Sequence, residues 1–116
     1  MAALEEDMGR QDAALDAARR DATARAGWSE QEGLVFLGTL LRSRTNQAFD
    51  RQITALTEEL RGMLQALQRG EIKGEHADAR FLMRTREIVR QLRAVYGRQS
   101  VYLVGQLRDV KPVQRR

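Results

Sequence analysis

The side chains best suited to chemistry stand together in Glu71-Ile72-Lys73-Gly74-Glu75-His76-Ala77-Asp78, which holds the only histidine of the chain. Glu75, His76 and Asp78 could ligate a metal ion and activate water, but a metal centre needs three or four ligands at fixed spacing, and this stretch offers a single imidazole. The plainer reading is that acidic residues at a helix start complement its dipole and His76 is a solvated neighbour. Ser29 could serve as a nucleophile only beside a base, and none is identifiable; helix capping accounts for it. Glu58 and Glu59 are adjacent, so on a helix they point apart and cannot converge as an acid/base pair. The glycines lack the spacing of a phosphate-cradling loop, and with no cysteine there is no thiolate or disulfide chemistry. A non-catalytic protein with no cofactor, no metal and no small-molecule substrate is the expectation.

What remains is charge. Residues 79–116 hold 10 basic and 2 acidic side chains, whereas residues 1–27 hold 4 basic and 6 acidic ones, so a net charge of +4 conceals a strongly basic C-terminal third. At about 100° per residue, Arg80, Arg84 and Arg98 fall on one flank of an apolar stripe and Arg86, Arg90 and Arg93 on the other; Lys111, Arg115 and Arg116 follow in the tail. Arginine's planar fork suits phosphate and carboxylate alike. The flanks could grip nucleic-acid phosphates, or they could pair with acidic residues such as Asp50, Glu58 and Glu59 on a facing helix or with the acidic N-terminal segment of another copy. Nearly all basic residues are arginine, which codon usage in a GC-rich genome would also produce. Single-strand binding normally adds exposed aromatic platforms, and Tyr102 is the only aromatic of the basic region not committed elsewhere.

The elements that must position these groups are helical. Aromatics make up 5 % of the chain and charged residues 31 %, a composition closer to helical bundles than to thick globular cores. Residues 2–26 are rich in helix formers, with a weak seam of Leu4, Met8, Gln11, Leu15, Ala18 and Ala22 ending at Gly27. Ser29 and Glu32 form a capping-box pattern ahead of an apolar helix whose Leu34, Phe36, Leu37, Leu40 and Leu41, with Trp28, make a candidate oligomer surface. A kink or short turn is expected near 43–46.

The strongest periodicity follows. Phe49, Ile53, Leu56, Leu60, Met63 and Leu67 recur at alternating spacings of 4 and 3, and after a glycine-bracketed connection a second series runs through Phe81, Leu82, Ile88, Val89, Leu92, Val95 and Tyr96. Pairing Leu64 with Phe81, Leu56 with Val89, Ile53 with Leu92 and Phe49 with Tyr96 uses one antiparallel register, with Leu60 opposite Thr85. The sequence therefore predicts an all-α protein built on an antiparallel, coiled-coil-like helical hairpin. Residues 98–110 read as helix by periodicity and as a short strand by the composition of Val101-Tyr102-Leu103-Val104, and Pro112 ends either.

The expected organisation is an acidic helical arm at 1–27, a hairpin core at 28–110 and a basic tail at 111–116. Two helices bury only one side of each other, so further cover is expected from the first apolar segment, the N-terminal helix or other copies. The expected role is a self-associating adaptor or structural subunit of a larger assembly, of the small arginine-rich kind found among virion and phage components. Its partners would be copies of itself or other protein subunits. The alternative is a small nucleic-acid-binding protein. The acidic N-terminus lacks the pattern of a secretory signal, and the longest apolar run is too short to span a bilayer. The expected location is the cytoplasm or a viral particle, with no secretion and no membrane partner.

Overall fold

The helix ends between Gly27 and Gly70 have local chemical causes. The computed structural model describes residues 2–74 and 77–113, and among them the regular structure is entirely helical: α1 (Ala2–Ala26), α2 (Glu30–Leu41), α3 (Arg44–Gln68) and α4 (Ala77–Arg108). α1 ends where Gly27 takes φ 69°, a conformation costly for a residue with a Cβ. The Gly27 and Trp28 N–H groups then donate back to the Ala24 and Thr23 carbonyls. α3 ends the same way at Gly70, with Gly70 and Glu71 donating to Leu67 and Ala66. α2 starts with the full capping box: Glu32 N–H donates to Ser29 Oγ and Ser29 N–H to Glu32 Oε1, each at 3.1 Å. The break between α2 and α3 falls at 42–43, where Ser43 caps α3 by accepting from the Asn46 N–H.

α4 is the spine of the molecule. α3 runs antiparallel to it, since Gln99 meets Asn46 near the start of α3 while Arg84 meets Glu59 farther along. α1 runs parallel to α4, because Asp7 meets Arg93 and Arg25 meets the Leu107 carbonyl. α2 folds back over the second half of α1. The result is a rod of 73 × 23 × 18 Å, with a radius of gyration of 19.1 Å, where a compact chain of this length would have about 13 Å.

Two buried clusters follow from this order. One joins Ala18 and Ala22 of α1, Leu40 of α2, and Leu103 and Leu107 of α4, with Leu15, Phe36, Leu37 and Tyr102 packed around them. The other joins Leu4 of α1, Leu60 of α3, and Ile88 and Leu92 of α4, flanked by Ile53, Leu56, Met63, Val89 and Tyr96. α1 spans both clusters and packs into the bundle along its length. Its alanines make this possible. At Gly33 a Cβ would lie 2.1 Å from Thr23 Oγ1, a closeness that only small residues on both helices permit.

At Phe49 the seam makes a contact other than the predicted one. The ring of Phe49 packs on Tyr102, centroids 6.1 Å apart, where the sequence pairs it with Tyr96. Leu64 is 44 % exposed, because it lies beyond the start of α1, where no third helix covers it. Residues 98–108 continue α4 without interruption, and no strand forms there: the helical ladder satisfies the backbone alone, whereas a four-residue strand would need a partner. In the tail, Val113 N–H donates to the Arg25 carbonyl at 2.8 Å.

Candidate functional site

Three of the arginines singled out by the sequence, Arg84, Arg90 and Arg93, are engaged within the chain. Arg84 reaches across to α3, its Nε 2.7 Å and its Nη2 2.5 Å from Glu59 Oε1. Arg93 reaches across to α1, with Nε 2.5 Å from Asp7 Oδ2. Asp7 also accepts from Arg10. The Arg93 hydrogen bond, helped by Arg10, holds the Asp7 carboxyl below the usual carboxylate range, and the same bond raises Arg93. Arg90 grips Glu87 one turn away through two bonds of 3.0 and 2.6 Å. That grip, with Gln91 also donating, lowers Glu87 to about 2 and raises Arg90.

These pairs use up charge that a phosphate would otherwise meet. Arg86 and Arg98 are exposed and make no ion pair among the described residues. Arg80 and Lys111 are exposed, while Arg115 and Arg116, like Glu75 and His76, lie outside the described residues. Among the described residues no three metal-capable side chains converge, and no helix is long and apolar enough to cross a membrane.

The apolar surface of α2 divides in two. Leu40 is buried, Phe36 and Leu37 pack against the first cluster, and Trp28 stacks at a tilt on Phe36 with ring centroids 5.1 Å apart. These four therefore hold the fold together. Leu34 and Leu41 remain exposed, together with Val35. The reason is geometric: a helix resting on α1 and α4 at once buries a wide stripe and leaves only its outer edge in solvent.

Two polar junctions escaped the sequence reading. Asn46 is 1 % exposed. Its Nδ2 donates to the Leu41 carbonyl at 2.8 Å, closing the end of α2, and its Oδ1 accepts from Gln99 Nε2 of α4 at 2.9 Å. Ser43 Oγ lies 3.0 Å from the Tyr102 hydroxyl beside it. The one available signal was that Asn46 falls on the backward projection of the α3 seam, which reads equally well as a break in the apolar face. Arg25 is the second junction. Its guanidinium donates to the Leu107, Val110 and Arg108 carbonyls and so caps α4, a cation placed at the negative end of the helix dipole. Nothing in the local sequence links residues more than 80 positions apart.

The surface left unfilled lies at the end where α3 and α4 meet without α1. Leu60 is 8 % exposed under the cover of Leu4, yet Leu64 and Leu67, one and two turns on, are 44 % and 47 % exposed. On α4, Leu82, Thr85 and Val89 line an open groove edged by Arg86, Arg90 and Arg93 and bounded by Asp7 of α1. Thr85 Oγ1 is buried with no hydrogen-bond partner among the described residues. The groove's apolar floor and guanidinium rim suit a protein helix better than a small polar ligand. Comparison with known proteins finds no family model, no curated protein and no solved structure that matches the chain.

Proposed function

We propose that this chain is a non-catalytic helical subunit that works by associating with copies of itself, or with other protein subunits, in a larger assembly. The observation that carries the reading is the uncovered leucine surface of the α3–α4 end, where Leu64, Leu67 and Leu82 expose apolar area that a monomer gains nothing by leaving in water. The internal pairing of Arg84 and Arg93 favours this reading over nucleic-acid binding, because a phosphate contact at either would have to displace a carboxylate already in place.

Sedimentation equilibrium across a range of concentrations tests the proposal. The expected result is a mean mass that rises above the 13.2 kDa of one chain as concentration increases. A mass fixed at one chain throughout defeats it. Salt titration against single- and double-stranded DNA and RNA tests the nucleic-acid alternative, for which affinity would fall steeply with salt.

A further inference from the structure

α1 occupies one defined stripe of α4. Tyr96, Gln99, Ser100 and Leu103 face its Met8, Gln11 and Leu15, and Leu107 sits farther along in the cluster with Ala18 and Ala22. Followed toward the start of α4 at helical spacing, that stripe runs through Val89, Thr85, Leu82 and Asp78. Asp7, in the second turn of α1, already closes the inner end of the groove. Whatever covers Leu82 and Thr85 must therefore enter from the free end of the rod and run only a few turns. A long helix laid along the whole molecule would collide with α1.

We infer that the slot is closed by the same end of a second copy, α4 against α4 in antiparallel contact about a twofold axis crossing at Leu82, so that two helical pairs make one four-helix layer. The inference rests on the self-association proposed above and adds where and how it happens. Asp78 and Arg86 stand four residues to either side of Leu82, so an antiparallel crossing there sets Asp78 against the partner's Arg86 and Arg86 against the partner's Asp78. Both are exposed, and Arg86 makes no ion pair among the described residues. The same crossing brings Leu64 and Leu67 of each copy to the edge of the other's groove. Such self-complementary contacts are what twofold dimers are built from.

The competing apolar patch is the outer edge of α2, where Leu34 and Val35 are exposed. It lies over helices already packed on their inner side, whereas the α3–α4 end lacks an entire layer. The contact extends for only a few turns, which places it below the area of a standard interface and makes the dimer weak and concentration-dependent.

The test is analytical ultracentrifugation of full-length variants, with circular dichroism as the check on folding. Asp78→Arg and Arg86→Asp each raise the dimer dissociation constant severalfold, and the double variant D78R/R86D restores it, because the swapped charges meet again across the axis. Leu82→Glu raises it by about tenfold or more, while Leu34→Glu and Val35→Glu leave it unchanged. Since the chain has no cysteine, Leu82→Cys adds a single thiol, and a short bis-maleimide links two copies through it, whereas Val101→Cys gives no such product. A dimer lost through Leu34→Glu or Val35→Glu, or indifferent to both charge reversals, overturns the inference and leaves self-association standing. A chain that never dimerises overturns both. Binding to nucleic acid that Arg86→Asp removes from a monomer also counts against the inference.

Discussion

Leu60 and Leu64 are one turn apart on the same stripe of α3, yet one is buried and the other is nearly half exposed. The two ends of the rod differ in the same way. At the α1–α2–α4 end three helices meet, and residues as small as Ala18 and Ala22 are sealed, Ala22 completely. At the α3–α4 end two helices meet, and leucines with far more apolar area stay wet. Burial here follows the number of packed layers, not the hydrophobicity of the residues. A strong apolar seam on two helices is half a core, and a weak alanine seam beneath two other helices is a whole one.

The sharpest way to break that comparison is a matched truncation. Leu107→Ala removes a side chain that is 1 % exposed, and is expected to cost about 2–5 kcal/mol in chemical denaturation. Leu82→Ala, measured at concentrations where the chain is monomeric, is expected to stay within about 0.5 kcal/mol. Equal losses at the two sites would show that the α3–α4 end is covered within a single chain. A second variant probes the close approach at the three-helix end. Gly33→Ala drives a methyl toward Thr23 Oγ1 and is expected to cost about 1–3 kcal/mol; adding Thr23→Ala, which clears the obstruction, recovers part of the loss. Without that recovery, the close approach is not what makes glycine necessary there.

The smallest effect is the response to acid, which separates a pair inside one helix from a pair that ties two together. Glu87 and Asp7 both have carboxyls lowered by arginine hydrogen bonds. Their stabilisation is therefore present above the ordinary carboxylate range and is lost as pH falls through the lowered values, for Glu87 between that range and about 2. Melting temperature should fall over that window. Glu87→Gln should flatten the fall modestly, and NMR titration should place the Glu87 midpoint near 2. Asp7→Asn should in addition raise hydrogen exchange in the first turns of α1, because Arg93 holds those turns on α4. Equal exchange in the two variants would count against Asp7 as the tie.

The arginines followed a similar division. Their placement on the flanks of α4 was legible from helical geometry, and so was Glu59 as a partner on the facing helix. That Asp7 of the same chain takes Arg93 was not, because no local pattern says α1 lies parallel to α4. Asn46 taught the converse lesson. A polar residue on an apolar stripe looked like an interruption, and in the folded chain it is the most enclosed polar residue among the described ones, bonded to both α2 and α4.

By itself the amino-acid order determined what is settled within a few turns: four helices' worth of periodicity, the Ser29 capping box, the stop at Gly27, the antiparallel sense of α3 and α4 implied by a short connection, and the excess of positive charge toward the C-terminus. These depend on backbone hydrogen bonding and neighbouring side chains, whose range is short. Only the tertiary structure decided which stripes are covered and which are not. That outcome depends on where α1 begins along α4 and how closely alanine and glycine let helices approach, and packing between residues scores of positions apart has no signature in either helix read alone.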